Sequence, residues 1–203
     1  MDEVGDGCFR RQAEDRNVFG HGAGKGKPPE LIDQVKDGVV DIAWTVVGYS
    51  PGRFPRTEVF ELPFMMTNAE ATSKAYWDIF ESDMKDQDFK DYHIIGTRAH
   101  GPGVIHAKGE GVHKLEDMKG LKLRGPSRMT NALIKEMGAE PIGLPVPAIP
   151  EALSKGVIDG TVIPWEVTGA LKVAELTKYA YRVCWRQGHL HCHLRARDEQ
   201  AEI

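Results

Sequence analysis

The chain has 203 residues, 41% of them hydrophobic and 28% charged, with a net charge of −4, which describes an ordinary globular protein of one or two domains and excludes collagen, coiled coil and disordered polymer. No apolar run approaches the roughly 18 residues of a membrane span, and the first 25 residues carry no continuous apolar core of a signal peptide. A pI near 6.1 without a long Lys/Arg cluster argues against nucleic acid as the main partner, leaving a small molecule as the first expectation.

Pro28-Pro29-Glu30 opens a predicted helix through Lys36, with proline suited to the first turn, Gly38 placed to end it, and Leu31, Ile32 and Val35 as its apolar stripe. Val39 to Val47 is β-branched and almost wholly apolar, the pattern of a strand covered on both faces. Tyr49 to Pro63 contains Pro51, Gly52, Pro55 and Pro63 and reads as an irregular loop. Asn68 caps a helix over 69–80 whose apolar side is Ala75, Ile79 and Phe80. Strand patterns follow at His93–Arg98, Gly103–Ala107 and Leu121–Arg124. Ser127 caps a helix carrying Met129, Ala132, Leu133 and Met137 that Gly138 stops. Pro141–Leu144 and Thr161–Ile163 read as strands, Glu151–Lys155 as a short helix ended by Gly156, and Glu166–Lys178 as a final helix. This alternation predicts an α/β fold with mainly parallel pairing.

Arg124 ends a strand pattern and precedes a Gly-Pro turn and a Ser-capped helix. In open α/β sheets ligands bind outside the carboxyl edge of the strands, where the next helix adds unpaired N–H groups. A carboxylate suits both the fork of an arginine and such a helix start, while the plainer reading of Arg124 is a surface side chain in a loop. Arg98 ends a second strand pattern and is either a further anion contact or an interdomain tether. His100, with His93, His106 and His113, reads first as a structural histidine. Trp165-Glu166 closes a strand and opens a helix: Trp165 offers a flat wall, and Glu166 an acceptor for a ligand hydroxyl or a cation shared with the ligand. Their plainer roles are core packing and a favourable acid in a first helical turn. The sequence contains no GxSxG, Walker, GxGxxG or HExxH motif.

Gly26-Lys27-Pro28-Pro29-Glu30-Leu31, Pro51-Gly52-Arg53-Phe54-Pro55, Glu61-Leu62-Pro63-Phe64-Met65, the run Leu115 to Arg124, and Gly156-Val157-Ile158-Asp159-Gly160 together resemble the DctP-type solute-binding proteins of tripartite ATP-independent periplasmic (TRAP) transporters. The resemblance covers roughly residues 26 to 179. It implies a two-lobed periplasmic-binding-protein-like α/β fold with a ligand cleft between the lobes, incomplete here at both ends. It also implies a small carboxylate ligand, membrane permease subunits as partners, a periplasmic location, sodium-coupled uptake and no catalysis. Arg124 stands where this family keeps its carboxylate-binding arginine. Arg98 resembles a second arginine position of some members, and Trp165-Glu166 a pair that in some members touches ligand and metal, so that a sodium or calcium ion bound with the ligand at Glu166 is an expectation. Tyr49 and His100 complete the expected ligand set. The implied division is 26–97 as part of lobe I, 98–165 as lobe II and 166–179 as a connecting helix. The rival expectation is an α/β enzyme acting on a small organic acid, with Arg124 as anchor and His100 or Glu166 as general base.

Residues 1–25 and 180–203 do not resemble the family, and all three cysteines, Cys8, Cys184 and Cys192, lie there. Back-translation shifted forward by one base lets residues 1–25 read as a family-like helix, Gly-Gly turn and strand, and 180–202 as family-like sequence free of stops. Both ends are therefore expected to be off-frame, which would leave the apolar faces of residues 28–47 without partners and the run His189-Leu190-His191-Cys192-His193 without a selected function. Sequencing the encoding DNA decides it.

Overall fold

The computed structural model describes residues 27–63, 65–66, 68–109, 112, 114–186 and 189–196, with side chains as far as residue 180. The expected off-frame stretch 1–25 lies outside them, as do the side chains of the His/Cys run. The fold is α/β. One sheet in the order β3-β2-β4-β1-β5-β6 gathers β1 (Val104–Ala107), β2 (Lys122–Gly125), β3 (Glu140–Gly143), β4 (Gly160–Ile163), β5 (Tyr179–Arg186) and β6 (His189–Ala196). Pairing departs from the mainly parallel expectation. Only β2 with β3 and β2 with β4 run parallel; β1 pairs antiparallel with β4 and β5, and β5 with β6. Strand–helix alternation predicts crossovers, but β1 and β6 run opposite to the other four strands, which spacing alone does not reveal.

Each face of the sheet carries its own core. Ile105, Ala107 and Leu123 pack with Ile134 of α3 (Arg128–Glu136) and with Met137, which follows it, on one side. On the other, Ile163 packs with Ile149 and Leu153 of α4 (Ile149–Ser154) and Val173 of α6 (Val173–Leu176). Ser127 caps α3 through the Thr130 amide, and Gly138 and Gly156 end α3 and α4 at φ 88° and 71°, left-handed values that glycine adopts without a Cβ clash. The expected final helix over 166–178 is instead two single turns, α5 (Trp165–Thr168) and α6, broken where Lys172 takes φ 54°.

Residues 27–97 contain no strand of the sheet. They hold α1 (Leu31–Lys36), a 3-10 helix over Pro55–Glu61, and α2 (Ala69–Ile79), which runs on into a single π turn at Phe80–Met84. Asn68 caps α2 through the Ala71 amide, as read. Its buried stripe, however, is Thr72, Tyr76 and Phe80; Ala75 is exposed and Ile79 is 38% exposed. The reason is an aromatic cluster of Phe54, Tyr76, Phe80 and Phe89, with Phe54 and Phe89 stacked at 4.6 Å, which draws the helix in by its largest rings. Val39–Val47 forms no strand: Val39 is 56%, Ile42 41% and Trp44 52% exposed. Ala43 makes an isolated bridge, but among the described residues none of the six strands of the sheet pairs with this run. His93–Arg98 likewise stays extended but unpaired, and the residue after it, Ala99, exchanges its amide and carbonyl bonds with the Ser73 hydroxyl of α2.

Candidate functional site

Strand alternation sends Leu123 into the α3 core and Arg124 to the opposite face, where its side chain is only 1% exposed. Two backbone carbonyls fix it: Nε donates to Leu144, just past the end of β3, at 2.7 Å and Nη1 to Val162, within β4, at 3.1 Å. Nη2 is buried without a hydrogen-bond partner. Burial disfavours the guanidinium charge and the adjoining Tyr49 hydroxyl restores part of it; an arginine stays cationic throughout. Tyr49 crosses from the 27–97 region, and its hydroxyl accepts from the Val146 amide at 3.2 Å.

Register extends the site along the sheet. Arg124 lies opposite Thr161, and Thr161 opposite His106, so the three share one face across β2, β4 and β1. Thr161 and His106 are 0% and 1% exposed, and Thr161 Oγ1 and His106 Nε2 are, like Arg124 Nη2, buried without partners. Each such orphan costs about 1–3 kcal/mol, so three in a row mark a surface made for something polar. The His106 ring meets Trp165 edge-on at 4.9 Å and 88°. Burial pushes its pKa down to about 4 against a smaller opposing bond to the Ile163 carbonyl, so the imidazole is neutral at pH 7.

The other expected residues form a second, exposed group at the same end of the sheet. Glu166 Oε1 accepts from the Gly101 amide at 3.0 Å and stands 3.9 Å from Arg98 Nη2. Partial burial alone would raise its carboxyl, but the amide bonds from Gly101 and from its own backbone, with His100 and Arg98 nearby, hold it below the usual range. Arg98 lies over the Trp44 ring at 5.9 Å, and His100 is exposed, its Nδ1 2.7 Å from the Gly101 carbonyl. The structure thus joins Tyr49 to Arg124 and Trp165 to His106, and groups Arg98, His100 and Glu166 apart. Among the described residues no three His, Cys, Asp or Glu gather to hold a metal ion.

Sequence reasoning missed three residues. Thr161 was only a strand former, and His106 a structural histidine; what distinguishes them is register against Arg124, which no single strand encodes. Glu61 is the third. Burial raises its carboxyl, opposed by a Ser127 hydrogen bond and His100, and its Oε2 has no partner. The close approach of Glu61 explains Gly48: a Cβ there would meet Glu61 Oε1 at 2.6 Å.

Residues 17–183 match the profile of the bacterial extracellular solute-binding proteins of family 7, DctP. The chain belongs to this family. Solved relatives agree with the DctP assignment. A TRAP solute-binding protein from Rhodoferax ferrireducens, in complex with copurified benzoate, is 51% identical over 84% of this chain and 52% of its own, at a TM-score of 0.76. A marine metagenome TRAP solute-binding protein specific for aromatic acids, in complex with 3-hydroxybenzoate, is 45% identical over 88% of this chain and 57% of its own, also at 0.76. One from Bordetella bronchiseptica with bound (R)- and (S)-mandelate is 32% identical over 90% and 58%, at 0.74. The DctP chain described here therefore spans little more than half the length of these relatives. Nothing in the family or its solved members supports the rival enzyme reading.

Proposed function

We propose that this chain is the ligand-recognising part of an extracytoplasmic TRAP solute-binding subunit, taking a small aromatic carboxylate and presenting it to membrane permease subunits for sodium-coupled uptake. One observation carries the reading: a buried arginine, held by two backbone carbonyls, whose remaining nitrogen is buried and unpaired. A carboxylate placed on Nη2 satisfies that donor and neutralises a charge that burial disfavours. That DctP relatives hold benzoate, 3-hydroxybenzoate and mandelate supports an aryl or arylalkyl acid as the ligand. The family's description as extracellular solute-binding proteins supports a location outside the cytoplasm.

Capture requires opening. Tyr49 covers Arg124, and the 27–97 region meets the sheet region through polar contacts, among them Tyr49 to Val146 and Arg128 to Glu58 at 2.5 Å. Separation of these two bodies admits the acid and their return excludes water, strengthening the ion pair. Arg98, His100 and Glu166 sit at the mouth, where Arg98 draws anions inward. The reading needs no ion at Glu166, whose carboxylate already has Arg98 and the Gly101 amide as partners.

Calorimetric titration with benzoate, phenylacetate and a dicarboxylate such as succinate tests it. Saturable binding of the aromatic acids without product formation is expected. Arg124→Ala should lose about 2–5 kcal/mol of that affinity, as when one side of a buried charged pair is removed. An unchanged dissociation constant in this variant refutes the assignment.

A further inference from the structure

Arg124 accounts for one of three neighbouring buried groups without partners; Thr161 Oγ1 and His106 Nε2 remain. Both sit on the sheet face that carries Arg124, one and two strands away, so His106 lies roughly 10 Å from Arg124 at the backbone, within reach of long side chains and a small ring between them. Their chemistry differs from that of the arginine. A threonine hydroxyl donates or accepts, and a neutral imidazole whose other nitrogen serves the Ile163 carbonyl accepts at Nε2; neither carries a charge, so they match an uncharged hydroxyl rather than a second carboxylate. A second carboxylate at this end would be desolvated without a buried cation opposite it, since Arg98 there is exposed and already beside Glu166. Trp165, edge-on to His106, supplies an apolar wall at the same place.

We propose that Thr161 and His106 form a hydroxyl-reading subsite, so that this chain prefers a monocarboxylic aromatic acid carrying one neutral hydroxyl over the same acid without it. The inference rests on the carboxylate reading above and deepens it. Pairing the two groups with the ligand hydroxyl removes their burial penalty, whereas an unsubstituted ring leaves both orphaned. A discriminating site of this kind gains from the mismatch as much as from the match.

The test compares matched pairs on the full chain by calorimetry: benzoate against 2-, 3- and 4-hydroxybenzoate, and phenylacetate against mandelate. At least one hydroxylated partner should bind about tenfold tighter than its parent. Thr161→Val and His106→Phe, each close in shape to the native residue, should reduce that ratio towards one by weakening the hydroxylated acid more than its parent. Equal affinities across both pairs in the native chain, or a ratio that survives both substitutions, overturns the proposal while the carboxylate reading stands. Absence of binding to every acid in the panel overturns both. Should His106→Phe fail to fold by circular dichroism, Thr161→Val alone carries the decision, because valine keeps the shape and β-branching of threonine.

Discussion

His106 shows how one residue connects burial, charge and stability. Its folded pKa of about 4 lies below the ordinary 6.5, so between these values the unfolded chain binds a proton that the folded chain refuses. Its contribution is therefore complete above about pH 6.5 and falls away on acidification towards pH 4, by about 3 kcal/mol in all. Glu61 acts in the opposite sense. Its raised carboxyl takes up a proton in the folded state first, favouring that state as the pH falls towards the ordinary glutamate range. Melting temperature followed from pH 7 to pH 4 should drop, and His106→Phe should flatten the slope over that interval; an equally steep slope would show that other groups set it. At Arg124, lysine substitution tests geometry rather than charge. Lys keeps a cation but cannot satisfy the Leu144 and Val162 carbonyls and a ligand together, so affinity should fall nearly as far as with alanine. Arg124 was legible in the sequence because a strand end, a Gly-Pro turn and a capped helix are all local signals. His106 and Thr161 were not, since their importance arises only where three separate strands come into register.

Among the elements, those with local punctuation were read closely: α3 between Ser127 and Gly138, α4 ended by Gly156, and the short strands β1 to β4. Failure came where an element depends on distant partners. Val39–Val47 has the composition of a strand but joins none of the six described strands, and the helix expected over 166–178 gives way at Lys172 because the chain must turn to deliver Val173 into the core and Tyr179 to β1. Gly160 is the critical point of the sheet. It begins the middle strand, and an added Cβ would stand 2.6 Å from the His106 carbonyl and 2.8 Å from Leu123 Cδ2. Backbone cannot yield as a side-chain tip does, so Gly160→Ala should cost about 1–3 kcal/mol in a denaturant titration. The glycine appeared in the sequence as part of the Gly156 to Gly160 motif; the close packing that demands it did not.

For the whole molecule, Val39, Ile42 and Trp44 place several apolar side chains in contact with water on one short segment. Exposed apolar surface there is expected from residues 1–25 departing from the family pattern, but residues 17–25 fall within the DctP match, so that reading of the whole stretch does not hold as stated, and DNA sequencing is the test of what remains. Such surface promotes association. Replacing Val39 and Ile42 together by threonine should lower binding of a hydrophobic dye and light scattering on concentration, while thermal stability stays within about 0.5 kcal/mol. Benzoate at about 100 times its dissociation constant should stabilise the native chain by about 2.7 kcal/mol and the Arg124→Ala chain far less at the same concentration.

The two carbonyls that grip Arg124 also bear on speed. A guanidinium already immobilised by Leu144 and Val162 has no rotamers left to lose when an anion arrives, so the encounter needs no search by the receptor. The slow coordinate is then withdrawal of the tyrosine cover, and association rates should be nearly the same for every acid that fits, with selectivity written in how long each one stays.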